Sequence, residues 1–122
     1  PMATLSPVCS AAVVSALQDM VTLIYCSPEV RSYVATIAAA TRQDAALQLG
    51  ASTRAAIALI HGAQACALLA GRDYIVPEDV QHMAVQVLAH RLVLSPEARM
   101  KGVTPESVVR RLVQNTPVPV KL

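Results

Sequence analysis

The stretch from residue 50 to residue 71 reads GASTRAAIALIHGAQACALLAG, and it decides the fold that the sequence predicts. Gly50 ends the preceding segment and Ser52 is a good N-cap, so the apolar run that follows predicts a helix from Thr53 to Ala70. Because this helix is apolar on nearly all sides, we expect it to be the central helix of an all-α bundle of about five helices. The residues expected inside include Leu59 and Ile60, and those expected on its narrow exposed strip are Arg54, Ala58, His61 and Ala65.

Arg54 is the unusual residue of this stretch, because it puts a positive charge in the first turn of the helix. The helix macrodipole favours negative charge there, so an unpaired cation loses roughly 0.3–1 kcal/mol. A phosphate at the same place would be held by the dipole and by the guanidinium together. The pattern therefore indicates an anion-binding turn, with a simply solvated arginine as the alternative.

Four short motifs place a proline followed by a glutamate where a helix should begin. Proline at the first helical position lacks a donor that would be unpaired anyway, and the glutamate complements the helix dipole. The motifs are Ser27-Pro28-Glu29, Val76-Pro77-Glu78, Ser95-Pro96-Glu97 and Thr104-Pro105-Glu106. Apolar residues follow the first two motifs at the spacing of an amphipathic helix, namely Val30, Tyr33, Val34, Ile37 and Ala38, then Val80, Met83, Ala84, Val87 and Leu88.

Helices are also expected from Ala11 to Val21 and around residues 108–113. Strand signals are weak, since only residues 21–26 and 74–76 have an extended pattern and neither segment has a partner of convincing length. The expected organisation is an N-terminal extension at residues 1–9, a helical domain at 10–114, and an extended tail at 115–122 that contains Pro117-Val118-Pro119.

The composition argues against several classes of function. The chain has 122 residues, enough for one domain, with ten basic and eight acidic side chains and three tyrosines as its only aromatic residues, so we expect no nucleic-acid partner. The uncharged run from residue 55 to 71 is shorter than the roughly 20 residues that span a membrane. Three cysteines without CxxC spacing predict reduced thiols. Since no signal-peptide pattern is found, we expect a cytoplasmic protein without a membrane partner.

Catalytic and metal-binding side chains form no recognisable set. Lys101 and Lys121 are the only lysines and neither ends a GxxxxGK[ST] motif, so the chain lacks a P-loop with which to hydrolyse a nucleotide unaided. The histidines lack an HExxH frame or an acidic third ligand, so no metal site is predicted. Arg72 and Asp73 are expected to form an ion pair that orders the turn between two helices.

Three motifs in order, GASTRA at 50–55, GRDYIVPEDV at 71–80 and HRL at 90–92, resemble the C-terminal lid of MoxR-type AAA+ ATPases. The resemblance implies a helical lid that closes over ATP and Mg²⁺, which a preceding module with a P-loop holds. It also implies a cytoplasmic ring-shaped oligomer, in which neighbouring subunits are partners, that remodels other proteins, often ones with von Willebrand factor A-like domains. The fragment itself is then expected to bind no cofactor and to have no enzymatic activity.

The same resemblance gives Arg54 a role, because the arginine of this turn is the family's sensor 2 residue, which reaches the γ-phosphate of ATP from the lid. The family usually has proline before that arginine, and Thr53 stands here instead, which makes the turn less rigid without moving Arg54. Arg42 also falls where the family tends to carry an arginine, and capping of its own helix explains it adequately. Capping equally explains Glu78 and Asp79.

A small histone-like DNA-binding protein is the alternative. The order of a helix, GRDYIV, PEDV and a second helix also resembles the middle of a histone fold. The few, scattered basic residues argue against this alternative, because DNA binding needs a basic stripe. A third possibility, an enzyme with a Cys or His nucleophile, lacks a supporting catalytic pair.

Overall fold

Six α-helices and a short two-stranded ribbon make up residues 10–119, the part of the chain that the computed structural model describes. The predicted all-α fold is confirmed, with six helices where about five were expected, and the shortest helix has five residues. The elements are α1 (Ala11–Val21), α2 (Pro28–Gln43), β1 (Leu47–Leu49), α3 (Thr53–Leu69), α4 (Pro77–Leu88), a 3-10 turn (Ala89–Arg91), β2 (Val93–Leu94), α5 (Pro96–Met100) and α6 (Pro105–Asn115).

The helices begin where their capping residues predict. Each N-cap hydroxyl of α1, α2, α3, α5 and α6 accepts a hydrogen bond of 3.2 Å from the backbone amide three residues later. Proline occupies the first turn of α2, α4, α5 and α6, as the four proline motifs predict. Local sequence therefore fixes nearly every helix start.

The core forms where α3 packs against α2 and α4, whereas α1 contacts α3 without contributing a buried residue. One face of α3 presents Ala55, Leu59, Ala63 and Ala67, none of which is more than 1% exposed. Small residues allow a close approach of α4, since a Cβ on Gly62 would lie 3.2 Å from the side chain of Met83. These buried residues are spaced four apart and so lie on one face of the helix, which is the face of α3 that the core buries.

The exposed side of α3 differs in detail from the prediction. Leu59 is buried as predicted, but Ile60 is half-buried and Ile57 is 49% exposed. Arg54 and His61 are exposed as expected, whereas Ala58 and Ala65 are half-buried. The reason is that the neighbouring helices cover only part of α3, so its exposed stripe falls on Thr53, Arg54, Ile57 and His61.

The two-stranded ribbon is not predicted by the sequence pattern. β1 pairs with β2 in antiparallel orientation, with Leu47 opposite Leu94. The two segments expected to be extended, 21–26 and 74–76, meet instead in a single parallel bridge, in which the Ile75 amide donates to the Tyr25 carbonyl at 2.9 Å. Segments of two or three residues carry no usable periodicity, so sequence alone does not reveal such pairings.

The predicted N-terminal extension lies outside the described residues. At the other end α6 continues to Asn115, and the buried Thr116 hydroxyl donates to the Leu112 carbonyl at 2.7 Å. Residues 117–119 have no regular structure and line a shallow groove together with residues of the first turns of α2.

Candidate functional site

Arg54 is the second residue of α3 and its side chain is exposed. The turn before it is capped by Ser52, whose hydroxyl accepts from the Ala55 amide at 3.2 Å. Within residues 10–119 the Arg54 guanidinium makes no hydrogen bond and no ion pair. The described structure therefore leaves all its donors available, at a helix end that favours anions.

The last turn of α2 holds the turn that precedes α3. The Thr41 hydroxyl accepts from the Ala51 amide at 2.8 Å, and Arg42 Nε donates to the Ala51 carbonyl, also at 2.8 Å. Both backbone polar groups of Ala51 are thus bonded to α2. Arg42 does not cap its own helix as predicted, because its Nε–H group reaches across to the loop.

Gly50 permits this close approach between the loop and α2. A Cβ on Gly50 would lie 2.7 Å from three backbone atoms of Thr41 and Arg42, which is closer than non-bonded heavy atoms can come. The sequence pattern predicts only that this glycine ends the preceding segment. Its structural role is different, because it leaves room for the backbone of the neighbouring helix.

A groove of about 340 Å³ lies beside the same turn. Its lining includes Arg42 and Arg91, both exposed, together with residues 49–52. Arg91 ends the 3-10 turn that follows α4. Two arginines and the first turn of α3 therefore give this side of the domain a positive character, which suits an anionic partner.

Unlike Arg54, Arg72 has a partner among the described residues. It forms a bidentate ion pair with Asp79, with both N–O distances at 2.7 Å, so the expected pair with Asp73 is wrong. Asp79 Oδ2 also accepts from the Val76 amide at 2.9 Å and thereby caps α4. Burial alone would raise the pKa of Asp79, but the hydrogen bonds from Arg72 and Val76 outweigh burial and hold that pKa below its ordinary value. Adjacent residues in the sequence predict a pair between Arg72 and Asp73, whereas the fold brings Asp79 back onto Arg72.

Other candidate chemistry is sparse within residues 10–119. All three histidines are exposed, and no group of three or more His, Cys, Asp or Glu side chains there is arranged to hold a metal ion. Burial raises the pKa of the Cys66 thiol, and the nearby Asp79 raises it further, which disfavours the reactive thiolate. None of the helices described in this range is long and apolar enough to cross a membrane.

The helical bundle of this chain matches a known class of domain. The profile of the AAA lid domain family matches residues 39–112, which is more than half of the chain. The chain therefore belongs to the AAA lid domain family.

Relatives of the chain include proteins named MoxR1 or MoxR. The chain is 40% identical over 121 residues to the uncharacterized protein YeaC of Bacillus subtilis strain 168, covering 99% of this chain and 38% of YeaC. It is 38% identical over 96 residues to the chaperone MoxR1 of Mycobacterium tuberculosis, covering 71% of this chain and 26% of MoxR1. These matches confirm the predicted MoxR-type lid and favour it over the histone-like alternative.

A solved structure shows the same fold. The crystal structure of a candidate ATPase from Cytophaga hutchinsonii superposes on this chain with a TM-score of 0.78 and 28% sequence identity. The superposition covers 83% of this chain and 33% of that protein. The present chain thus spans well under half the length of the proteins that it matches.

Proposed function

We propose that this chain is the sensor 2 lid of a MoxR-type AAA+ ATPase and that Arg54 is its sensor. In this proposal the lid closes over ATP and Mg²⁺ held by a P-loop module of the same protein. The protein works as a cytoplasmic ring, in contact with neighbouring subunits, and couples hydrolysis to the remodelling of partner proteins, some of which carry von Willebrand factor A-like domains. The lid alone has no enzymatic activity, because its sequence has no P-loop.

One observation carries the proposal. Arg54 is an exposed arginine with no partner among the described residues, at the start of a helix whose preceding loop is bonded to α2 through Ala51. The charge opposes the helix dipole, so nothing within the described domain stabilises it there. A phosphate oxygen would satisfy the guanidinium and the unpaired amides of the helix start together.

The mechanism follows from this charge arrangement. With the lid closed, Arg54 donates charge-assisted hydrogen bonds to the γ-phosphate, and with the lid open it faces water. Because the contact exists only in the closed state, ATP shifts the equilibrium towards closure. After hydrolysis and phosphate release the contact is lost, and the preference for the closed state disappears.

Replacement of Arg54 by alanine in the full-length ATPase tests the proposal. Hydrolysis should slow by on the order of 10³-fold or more, as for other arginines that contact a transferring phosphate. Arg54→Lys should rescue only part of the rate, because an ammonium group lacks the planar two-pronged donor. In the lid alone, Arg54→Ala should melt no lower than the parent, since it removes a charge that opposes the dipole.

Arg110 provides the matched control, since it is an exposed arginine on α6, outside the turn that holds Arg54. Arg110→Ala should leave hydrolysis unchanged. If Arg54→Ala unfolds the lid while hydrolysis by the intact protein stays normal, Arg54 is structural and the assignment fails.

A further inference from the structure

Thr41 lies at the junction between α2 and the turn that precedes α3. Its side chain is 1% exposed, so water cannot replace its partners. The hydroxyl donates to the Ala38 carbonyl at 2.6 Å within α2 and accepts from the Ala51 amide at 2.8 Å. The single hydroxyl proton is donated to the Ala38 carbonyl, so towards Ala51 the oxygen can only accept a hydrogen bond.

Ala51 lies three residues before Arg54 and directly before the N-cap Ser52. It is 1% exposed, and its amide has Thr41 as its partner. The backbone of a capped helix is stiff, so the orientation of Ala51 and Ser52 sets the place where the first turn of α3 begins. The position of the Arg54 Cα atom depends on that starting point.

We propose that Thr41 is a positioning residue for Arg54, in an inference that rests on the proposed sensor function. The hydroxyl holds the Ala51 amide, and the neighbouring Arg42 holds the Ala51 carbonyl. Loss of the hydroxyl leaves the Ala51 amide buried and unpaired, so the turn moves to find another acceptor. A displacement of about 1 Å at a phosphate-contacting group can cost on the order of 10²-fold in rate.

Thr41→Val in the full-length ATPase is the first test, because valine keeps the shape and removes the acceptor. Hydrolysis should fall roughly 10- to 100-fold. Thr41→Ser keeps the hydroxyl and should restore most of the rate. Thr116→Val is the control, since Thr116 is also buried and donates to its own helix without contacting the turn before α3. If Thr41→Val and Thr116→Val lower the rate of hydrolysis equally, the loss comes from general destabilisation of the lid and the positioning role is wrong.

A double-mutant cycle decides whether Thr41 acts through Arg54. In the Arg54→Ala background, Thr41→Val should cause less than about a twofold further loss, because no sensor remains to be misplaced. A Thr41→Val loss that persists in this background, or no loss in the parent, overturns the positioning role and leaves the sensor proposal intact. Normal hydrolysis by Arg54→Ala alone overturns the sensor and the positioning role together.

Arg42→Lys tests the same idea where Thr41→Val does not fold. Lysine keeps the exposed charge but lacks the Nε–H donor that bonds the Ala51 carbonyl. Arg42→Lys should slow hydrolysis, and this loss of rate should vanish when Arg54 is alanine. If Arg42→Lys still slows hydrolysis when Arg54 is alanine, Arg42 contributes to hydrolysis independently of Arg54, and the positioning inference is wrong.

Discussion

Replacing Asp79 by asparagine removes the negative charge from a buried ion pair that connects the turn after α3 with the start of α4. Asp79 is 3% exposed and accepts two hydrogen bonds of 2.7 Å from Arg72. Breaking a fully buried pair costs about 3–5 kcal/mol, and because the Arg72 side chain is 27% exposed and can turn towards water, we expect about 2–4 kcal/mol here. That is a large part of the roughly 5–15 kcal/mol that stabilises a typical domain.

The loss of stability caused by Asp79→Asn should depend on pH. The native pKa of Asp79 lies below its ordinary value, so the unfolded state binds the proton more tightly than the folded state does. The stabilisation is therefore complete above the unfolded pKa of about 3.9 and is lost as the pH falls through the native pKa. Since asparagine does not titrate, the difference between the parent and Asp79→Asn should be full at neutral pH and should narrow below about pH 4.

Urea unfolding of the lid at neutral and acidic pH, followed by circular dichroism, measures this difference. Asp73→Asn is the matched control, because Asp73 is an exposed acid in the same turn and makes no ion pair within the described residues. Equal unfolding midpoints for Asp79→Asn and Asp73→Asn at neutral pH would refute the reasoning. A difference between the parent and Asp79→Asn that stays constant into the acid range would refute the pKa argument alone.

The remaining predictions concern packing around α3, and thermal or urea unfolding of the lid measures each. Leu59→Ala should destabilise the lid by about 2–5 kcal/mol, whereas Ile57→Ala, on the 49% exposed residue of the same helix, should cost less than about 1 kcal/mol. Equal losses would mean that the buried face of α3 is wrongly placed. Gly50→Ala should cost about 3 kcal/mol, because its Cβ would lie 2.7 Å from backbone atoms of α2 that cannot give way. Gly71→Ala should cost about 1–2 kcal/mol, since its φ of +82° carries a backbone penalty while its Cβ would meet nothing within 4 Å. A lower midpoint for Gly71→Ala than for Gly50→Ala would contradict this comparison.

The helix starts could be predicted from the sequence because their signals are local. A serine or threonine N-cap and a proline in the first turn act within a few residues, and the structure shows the expected cap bonds at Ser27, Ser52 and Ser95. The burial of Leu59 follows in the same way from helical periodicity. The motif around Arg54 likewise lies within six consecutive residues, so the sequence alone predicts that Arg54 lies at a helix start.

The contacts that the sequence did not reveal join segments that are distant along the chain or unusually short. The β1 and β2 strands have three and two residues, too few for an alternating pattern. Asp79 has two functions, and only the capping function has a local signal, so its bond to Arg72 was missed. The bonds from Thr41 and Arg42 to Ala51 run between a helix end and a loop, where sequence rules assign each residue to its own helix.

Arg54 and Arg72 together show that the partners of an arginine and the backbone that carries it matter as much for phosphate recognition as its charge. Arg72 is neutralised by a carboxylate within the fold, and Arg54 has no such partner among the described residues. A merely solvated arginine would need no fixed backbone beneath it, because water accommodates any position. The turn before Arg54 is nevertheless bonded to α2 through both polar groups of Ala51, and it packs so closely that only glycine fits at position 50. A cation without a partner, carried on a fixed backbone, suits the recognition of an external phosphate, because the preorganised turn loses little entropy when the anion binds. This combination supports Arg54, rather than Arg72, as the nucleotide sensor.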